Sequence, residues 1–194
     1  FDAVTAKGAY TLLGHSPELA LASDIIVRSS AVHDDDPEVI AAREIGIPVL
    51  KRNEFLPELT AGYQTLAIAG SHGKTTCTAM LVTMLRGLGV DPTFILGAQI
   101  RPLATNAHAG TSDLFVIEAD EYDNMFLGLS PKISLLTNVE YDHPDFFPTP
   151  TDYNQAFAAF IRCTQPDGAV ITCAEDEGVR NLLASNDFDG LSIL

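Results

Sequence analysis

Basic residues are scarce in the second half of this chain. Beyond Arg101 only Lys132, Arg162 and Arg180 are cationic, against fifteen Asp and Glu, and the whole sequence carries a formal charge of −15. A polyanion such as nucleic acid would be repelled by that surface, which argues against nucleic acid as a partner. Long apolar runs are missing as well: none approaches the roughly 18 residues of a membrane span. No basic-then-apolar segment at the start reads as an export signal. The three cysteines, Cys77, Cys163 and Cys173, are odd in number, lie in apolar stretches and lack metal-ligand spacing. They suit reduced thiols of an intracellular protein better than a disulfide frame. Phe1 is not an initiator Met, and Leu191–Leu194 reads as a strand with nothing after it, so a piece of a longer chain is expected.

What is present is a globular composition, 46% hydrophobic and 19% charged over 194 residues, enough for one large domain or two small ones. Its most specific segment is QTLAIAGSHGKTT, residues 64–76. Leu66, Ala67, Ile68 and Ala69 read as a buried strand, Gly70-Ser71-His72-Gly73 as a tight loop, and a helix is expected from Lys74. That order gathers backbone N–H groups and a positive helix end around one anion, with Lys74 to reach the outer phosphates of ATP. The Thr75 hydroxyl is placed to ligate Mg²⁺ between phosphates, and Thr76 completes the cradle. The longer phosphate-loop pattern has a further glycine where this chain has Ile68, so only the shorter G-x-x-G-K-T form stands. A plain glycine turn joining strand to helix is the competing reading. Cys77, Leu81, Met84, Leu85 and Leu88 recur at helical spacing and are expected to form one buried face.

Strand-like and helix-like segments alternate along the rest of the chain. Tyr10–Leu13, 24–27 and 48–50 read as short strands, 37–45 as a helix opened by Pro37 and stopped by Gly46, and 54–59 as a short helix. The residues 61–63 form the expected boundary between a first domain, 1–62, and a second, 63–194. In the second, 93–96, 114–118, 133–137 and 169–173 are continuous apolar runs, as in a parallel sheet covered on both faces. Helices are expected over 152–161 and 176–184. The fold class expected is α/β: a partial Rossmann-like domain followed by a P-loop-type, mostly parallel, doubly wound domain.

In such a sheet ligands bind beyond the carboxyl ends of the strands. One end carries Glu118, followed by Asp120, Glu121 and Asp123; four acids in six residues repel one another less around a cation, and Glu118 is the expected metal ligand. Another end carries Asn138, Glu140, Asp142 and His143. His143 either ligates a second metal or contacts the transferring phosphoryl group, or it is a loop His bonded to a neighbouring carboxylate. Asn106 and His108 lie in a stretch without regular pattern and are unremarkable on chemistry alone.

Together GSHGKTT (70–76), TNAHAGTSD (105–113), FVIEADEYD (115–123) and TNVEYDHPD (137–145) resemble the Mur ligase family, ATP-dependent enzymes that build the peptide of bacterial cell-wall precursors. Residues 29–52 look like the end of that family's N-terminal domain. The combination of HGKTT, TNAH and EADE is most similar to members joining L-alanine to UDP-N-acetylmuramate; the alternative is the recycling ligase that attaches a murein tripeptide. The resemblance implies ATP and Mg²⁺ as cofactors. It implies Lys74 on the outer phosphates, Thr75 and Glu118 on Mg²⁺, and His143 on the metal nearest the acceptor carboxylate. Asn106 and His108 would lie near the muramoyl substrate. Sister ligases carry a carbamylated Lys some fifteen residues beyond the His, whereas this chain has no Lys after Lys132. The glycine-rich opening of the family's N-terminal domain and its C-terminal domain are not in this sequence, so the stretch alone is expected not to complete catalysis. A P-loop switch is the other class of function, but the N-K-x-D base-reading motif of such GTPases does not occur.

Overall fold

The computed structural model describes residues 2–101 and 103–194, and the chain divides into two compact units, 1–55 and 56–194. The first contains α1 (Asp2–Thr5), α2 (Pro17–Leu21), β1 (Ile26–Arg28), α3 (Pro37–Glu44) and β2 (Val49–Lys51). β1 and β2 pair in parallel, Ile26 opposite Val49, around the crossover helix α3. Asp36 caps α3 by accepting from Glu38 N–H, with Pro37 in the first turn, where a missing N–H does no harm. Asp34 gathers Arg28 at 2.7 Å and Arg43 at 2.8 Å. The strand expected over Tyr10–Leu13 does not form. Those residues are irregular, with Tyr10 76% and Leu13 81% exposed, so their apolar side chains pack into nothing that would reward pairing. α4 (Arg52–Leu59) runs through the division between the units.

The second unit is built on seven strands: β3 (Gln64–Ala69), β4 (Thr93–Ile100), β5 (Thr105–His108), β6 (Leu114–Glu118), β7 (Ile133–Leu136), β8 (Ala169–Thr172) and β9 (Ser192–Ile193). Their order across the sheet is β5-β4-β6-β3-β7-β8-β9, parallel except for the antiparallel β4–β5 edge. Helices α5 (Lys74–Gly87), α6 (Pro150–Arg162) and α7 (Glu177–Ser185) cover it. Alternation along β3 and β6 shows that both faces are dry. Ile68 and Val116 pack with Val82 of α5, while Ala67, Ala69, Phe115 and Ile117 pack with Tyr153, Phe157 and Phe160 of α6 and with Leu182 of α7. The sheet is therefore doubly wound, as expected. α6 starts with a capping box in which Thr149 and Asp152 satisfy each other's backbone N–H groups.

Two further expectations are corrected. Residues 105–108 are not an irregular loop but the edge strand β5, with His108 opposite Phe94. On α5, Cys77, Leu81 and Leu85 do join the core, but Met84 is 63% and Leu88 79% exposed. The buried stripe instead runs through Thr78 and Val82. Thr78 can be buried because its hydroxyl donates to the Lys74 carbonyl at 2.8 Å. Met80 and Met84 line a cavity of about 690 Å³ between α5 and the far half of β4, with Thr75 and Thr76 at one end and Arg101 on its wall.

Candidate active site

The chain leaves β3 at Ala69 and turns at Gly70, whose φ of +137° is a backbone state open essentially to glycine. A Cβ there would also collide with the Thr137 hydroxyl, so two independent constraints select glycine at this position. Gly73, at φ +82°, is the N-cap of α5. The amides of Gly73, Lys74, Thr75 and Thr76 are those that a helix start leaves without intrahelical acceptors, and they sit at the positive end of the helix dipole. Lys74 Nζ turns back over the loop and donates to the carbonyls of Gly70 at 2.7 Å and Ser71 at 3.3 Å.

Two carboxylates arrive from the end of β6. Glu118 accepts from the Thr75 hydroxyl at 2.8 Å and from Gly97 N–H at 2.6 Å. Both donors are neutral groups. Glu121 is fully buried and paired with Lys74, whose Nζ lies 3.0 Å from Oε1 and 2.8 Å from Oε2. The contact to Oε2 lacks hydrogen-bond direction, and that oxygen is a buried acceptor with no donor aimed at it. His143 Nε2 approaches Oε1 at 3.4 Å.

The end of β7 supplies the third wall. Ser71 N–H donates to the Asn138 carbonyl at 3.1 Å, and His72 N–H donates to Asn138 Oδ1 at 2.8 Å. Asn138 Nδ2 returns a bond to the His72 carbonyl at 2.9 Å. The Ser71 hydroxyl donates to the Glu140 carbonyl at 2.7 Å and accepts from Glu140 N–H at 2.8 Å. Its single proton being used, the bond of 2.8 Å to Tyr153 is donated by the phenol. Burial pushes the Tyr153 phenol well up, and the nearby Glu121 charge adds to this, so it stays a neutral donor. His143 sits at φ +56° after a turn closed by its own N–H on Asp142 Oδ1, and Tyr122 packs edge-on to its ring at 5.2 Å. Below, Asp176 Oδ1 accepts from Val139 N–H at 3.2 Å and from Val179 N–H at 2.8 Å, capping α7. Gly178 lies so close that a Cβ would run into the Val139 carbonyl.

Lys74, Thr75, Glu118 and His143 thus meet on one rim, from three separate segments, as the pattern of strand ends predicts. Ser71 and His72 are placed differently from the other loop residues. Their amides are committed to Asn138, the Ser71 hydroxyl to Glu140, and the His72 ring to the exposed Glu140 carboxylate at 3.5 Å. The loop amides outside those bonds are the ones at the helix start, Gly73–Thr76. His108 is tied by Nε2 to Asp91 Oδ1, at 2.9 Å, just before β4 and stacks near Phe94, while Asn106 is exposed on the edge strand. Two residues that sequence reasoning passed over, Glu121 and Asn138, hold the centre. The run of acids was the only sign of Glu121; nothing in the spacing singled out Asn138.

The residues fit a magnesium ion. An octahedral ion with oxygen bonds of about 2.0–2.1 Å sets neighbouring ligands about 2.9 Å apart. The Thr75 hydroxyl and the Glu118 carboxylate are 2.8 Å apart. Both are hard oxygen donors of the kind that magnesium takes.

Residues 68–192 match the family model described as the Mur ligase middle domain, and residues 2–64 that of the Mur ligase family catalytic domain. The chain is 49% identical over 181 residues to the UDP-N-acetylmuramate–L-alanine ligase of Frankia casuarinae, covering 90% of this chain and 36% of that protein. It is 43% identical over 179 residues to the ligase of the same name from an Arthrobacter species, covering 92% and 38%. The chain thus spans about a third of the length of these curated relatives. Among solved structures, UDP-N-acetylmuramate–alanine ligase of Thermotoga maritima superposes with a TM-score of 0.80 at 32% identity, covering 92% of this chain and 42% of that one. The UDP-N-acetylmuramate:L-alanyl-gamma-D-glutamyl-meso-diaminopimelate ligase of Neisseria meningitidis reaches 0.88 over 99% and 64%, at 24% identity, a likeness of fold. With the strand–loop–helix, the acidic strand end and the His143 loop in the order the motifs require, this chain belongs to the Mur ligase family.

Proposed function

We propose that the protein carrying this chain is an ATP-dependent ligase that joins L-alanine to the lactyl carboxylate of UDP-N-acetylmuramate in peptidoglycan precursor synthesis. In this reading residues 63–194 are its ATP-binding domain and residues 1–62 part of its UDP-sugar-binding domain. It acts in the cytoplasm, where both substrates are made. A carboxylate is a poor electrophile, so it is first phosphorylated by the γ-phosphate of ATP. The amine of alanine then displaces phosphate from the acyl phosphate, giving the amide, ADP and phosphate. Two anions must approach, and the chain's own groups lower that barrier. The amides of Gly73–Thr76 hold the phosphate chain. Lys74 exchanges its loop carbonyls for phosphate oxygens, while Thr75 and Glu118 would hold Mg²⁺, which when bound neutralises charge between the phosphates. His143, turned to Glu121, stands on the acceptor side, and Asn106 on the edge strand is a substrate contact in this reading. The observation that carries it is the convergence of Lys74, Thr75, Glu118 and His143 on one rim.

The test is phosphate release by the full-length protein. Turnover is expected only with ATP, UDP-N-acetylmuramate and L-alanine together. Turnover with the murein tripeptide in place of alanine would move the protein to the recycling reaction, and hydrolysis needing neither acceptor nor amine would make it a nucleotide switch.

A further inference from the structure

The phosphate loop is not self-supporting: its outer arc is fastened to the end of the neighbouring strand by a side chain that imitates a peptide. Asn138 is half-buried, and its carboxamide lies against the His72 peptide unit, accepting from His72 N–H at 2.8 Å and donating to the His72 carbonyl at 2.9 Å. Its own carbonyl takes Ser71 N–H at 3.1 Å. The Thr137 hydroxyl reinforces the joint, bonding the His72 carbonyl at 2.8 Å and the Ala69 carbonyl at 3.2 Å. A carboxamide is the one uncharged side-chain group that offers a donor and an acceptor in the spacing of a peptide. An aspartate in that position keeps the acceptor and sets a negative charge against the His72 carbonyl.

We infer that Asn138 is a positioning residue for triphosphate binding: it fixes the orientation of the 71–72 peptides so that the four following amides point at the phosphates. The geometry supports this through the chain itself. The two peptides held by Asn138 lead directly into Gly73, whose left-handed φ of +82° aims the first turn of α5. Released, those peptides can rotate, and the amides of Gly73, Lys74 and Thr75 lose their common focus. Preorganised donors of this kind act on an anion because they need no rearrangement when it arrives. The residue does not itself reach the ligand, and the inference rests on the reading of Gly73–Thr76 as the phosphate cradle.

The experiment uses the full-length protein, with ADP and ATP binding followed by titration calorimetry, and the Michaelis constants for ATP, sugar nucleotide and amine measured separately. Two lost hydrogen bonds of ordinary strength correspond to roughly ten- to hundredfold weaker nucleotide binding. Asn138→Ala is expected to lose affinity for ADP and ATP by that factor and to raise the Michaelis constant for ATP. The constants for sugar nucleotide and amine stay within twofold. Asn138→Asp, nearly the same shape, covers the case in which the alanine variant folds poorly, and it is expected to show the same pattern. Nucleotide affinity within twofold of wild type in either folded variant overturns the inference, as does an equal rise in all three Michaelis constants. Lys74→Ala separates the two levels of argument. If it too binds nucleotide normally, the cradle reading has failed; if it alone is impaired, only the role of Asn138 has.

Discussion

Two carboxylates in the second unit are each bracketed by a histidine and a longer cation. At the rim, Glu121 lies between Lys74 and His143; at the sheet edge, Asp91 lies between Arg86, at 3.1 Å, and His108, at 2.9 Å. The residue types match, yet the surroundings do not. The Asp91 side chain is one-third exposed and its second oxygen is bonded by Thr111, so the group is satisfied and closes the β4–β5 edge. Glu121 is sealed from solvent, with the Lys74 ammonium against both of its oxygens. A satisfied cluster in contact with water is a fastener. A buried one, holding the loop lysine beside a helix start and a half-buried second carboxylate, keeps a cation where an anion could compete for it.

The strongest way to break that contrast is to remove its cation. Lys74→Ala is expected to lower turnover of the full-length enzyme about 10³-fold. It also leaves the Glu121 charge buried without its lysine, lowering stability by about 3 kcal/mol in denaturant titration. Adding Glu121→Gln to that variant should return most of the stability and none of the turnover. Recovery of turnover would show that Lys74 does not act on the phosphates. Next in size is Gly70→Ala, which combines a forbidden φ with a collision at Thr137 and is expected to cost about 2–3 kcal/mol and disable nucleotide binding.

A third change isolates the other acid of the rim. Glu118→Gln removes the ligand charge; its one amide oxygen can still accept from Gly97 N–H while its NH2 donates to the Thr75 hydroxyl oxygen. Stability should hardly move, while Mn²⁺ binding in the presence of ATP, followed by electron paramagnetic resonance, should weaken at least about tenfold. An unchanged Mn²⁺ titration would place the metal elsewhere. The smallest effect belongs to the edge. Desolvation acts to raise the Asp91 carboxyl, but bonds from His108 and Thr111 and the Arg86 charge outweigh it and hold the group below the usual carboxylate range. A folded value below the unfolded one means that this stabilisation is complete above about pH 3.9 and is lost as pH falls through the lowered value. Amide signals of β5 should report that loss at acid pH in wild type and not in Asp91→Asn. In the same comparison, His108→Ala should leave the Michaelis constant for sugar nucleotide unchanged if His108 only fastens the edge. A rise would return it to the substrate contacts that the TNAH motif implies.

The difference between rim and edge was only partly legible in the residues. The strand–loop–helix around Gly70–Lys74 was readable because apolar runs, glycines and a Lys-Thr pair constrain one another within a dozen positions. Glu118 and His143 were readable because a parallel sheet collects its strand ends. Glu121 was not, since burial of an acid follows from α6 and Tyr153 closing over it, and sequence spacing carries no record of that. Asn138 was hidden for the same reason: its partner lies 66 residues away. The edge strand escaped notice because its four residues, Thr105–His108, have no apolar alternation and are held by β4 alone among the described strands. Tyr10–Leu13 failed in the opposite sense, β-prone residues with no neighbour to pair with.

The shared carboxylate of Asp176 has a mechanical corollary. One side chain terminates both the backbone leaving β7 and the first turn of α7, and Gly178 removes any cushion between them. A shift of the backbone at Val139 would therefore strain that cap, which couples the start of α7 to the end of β7.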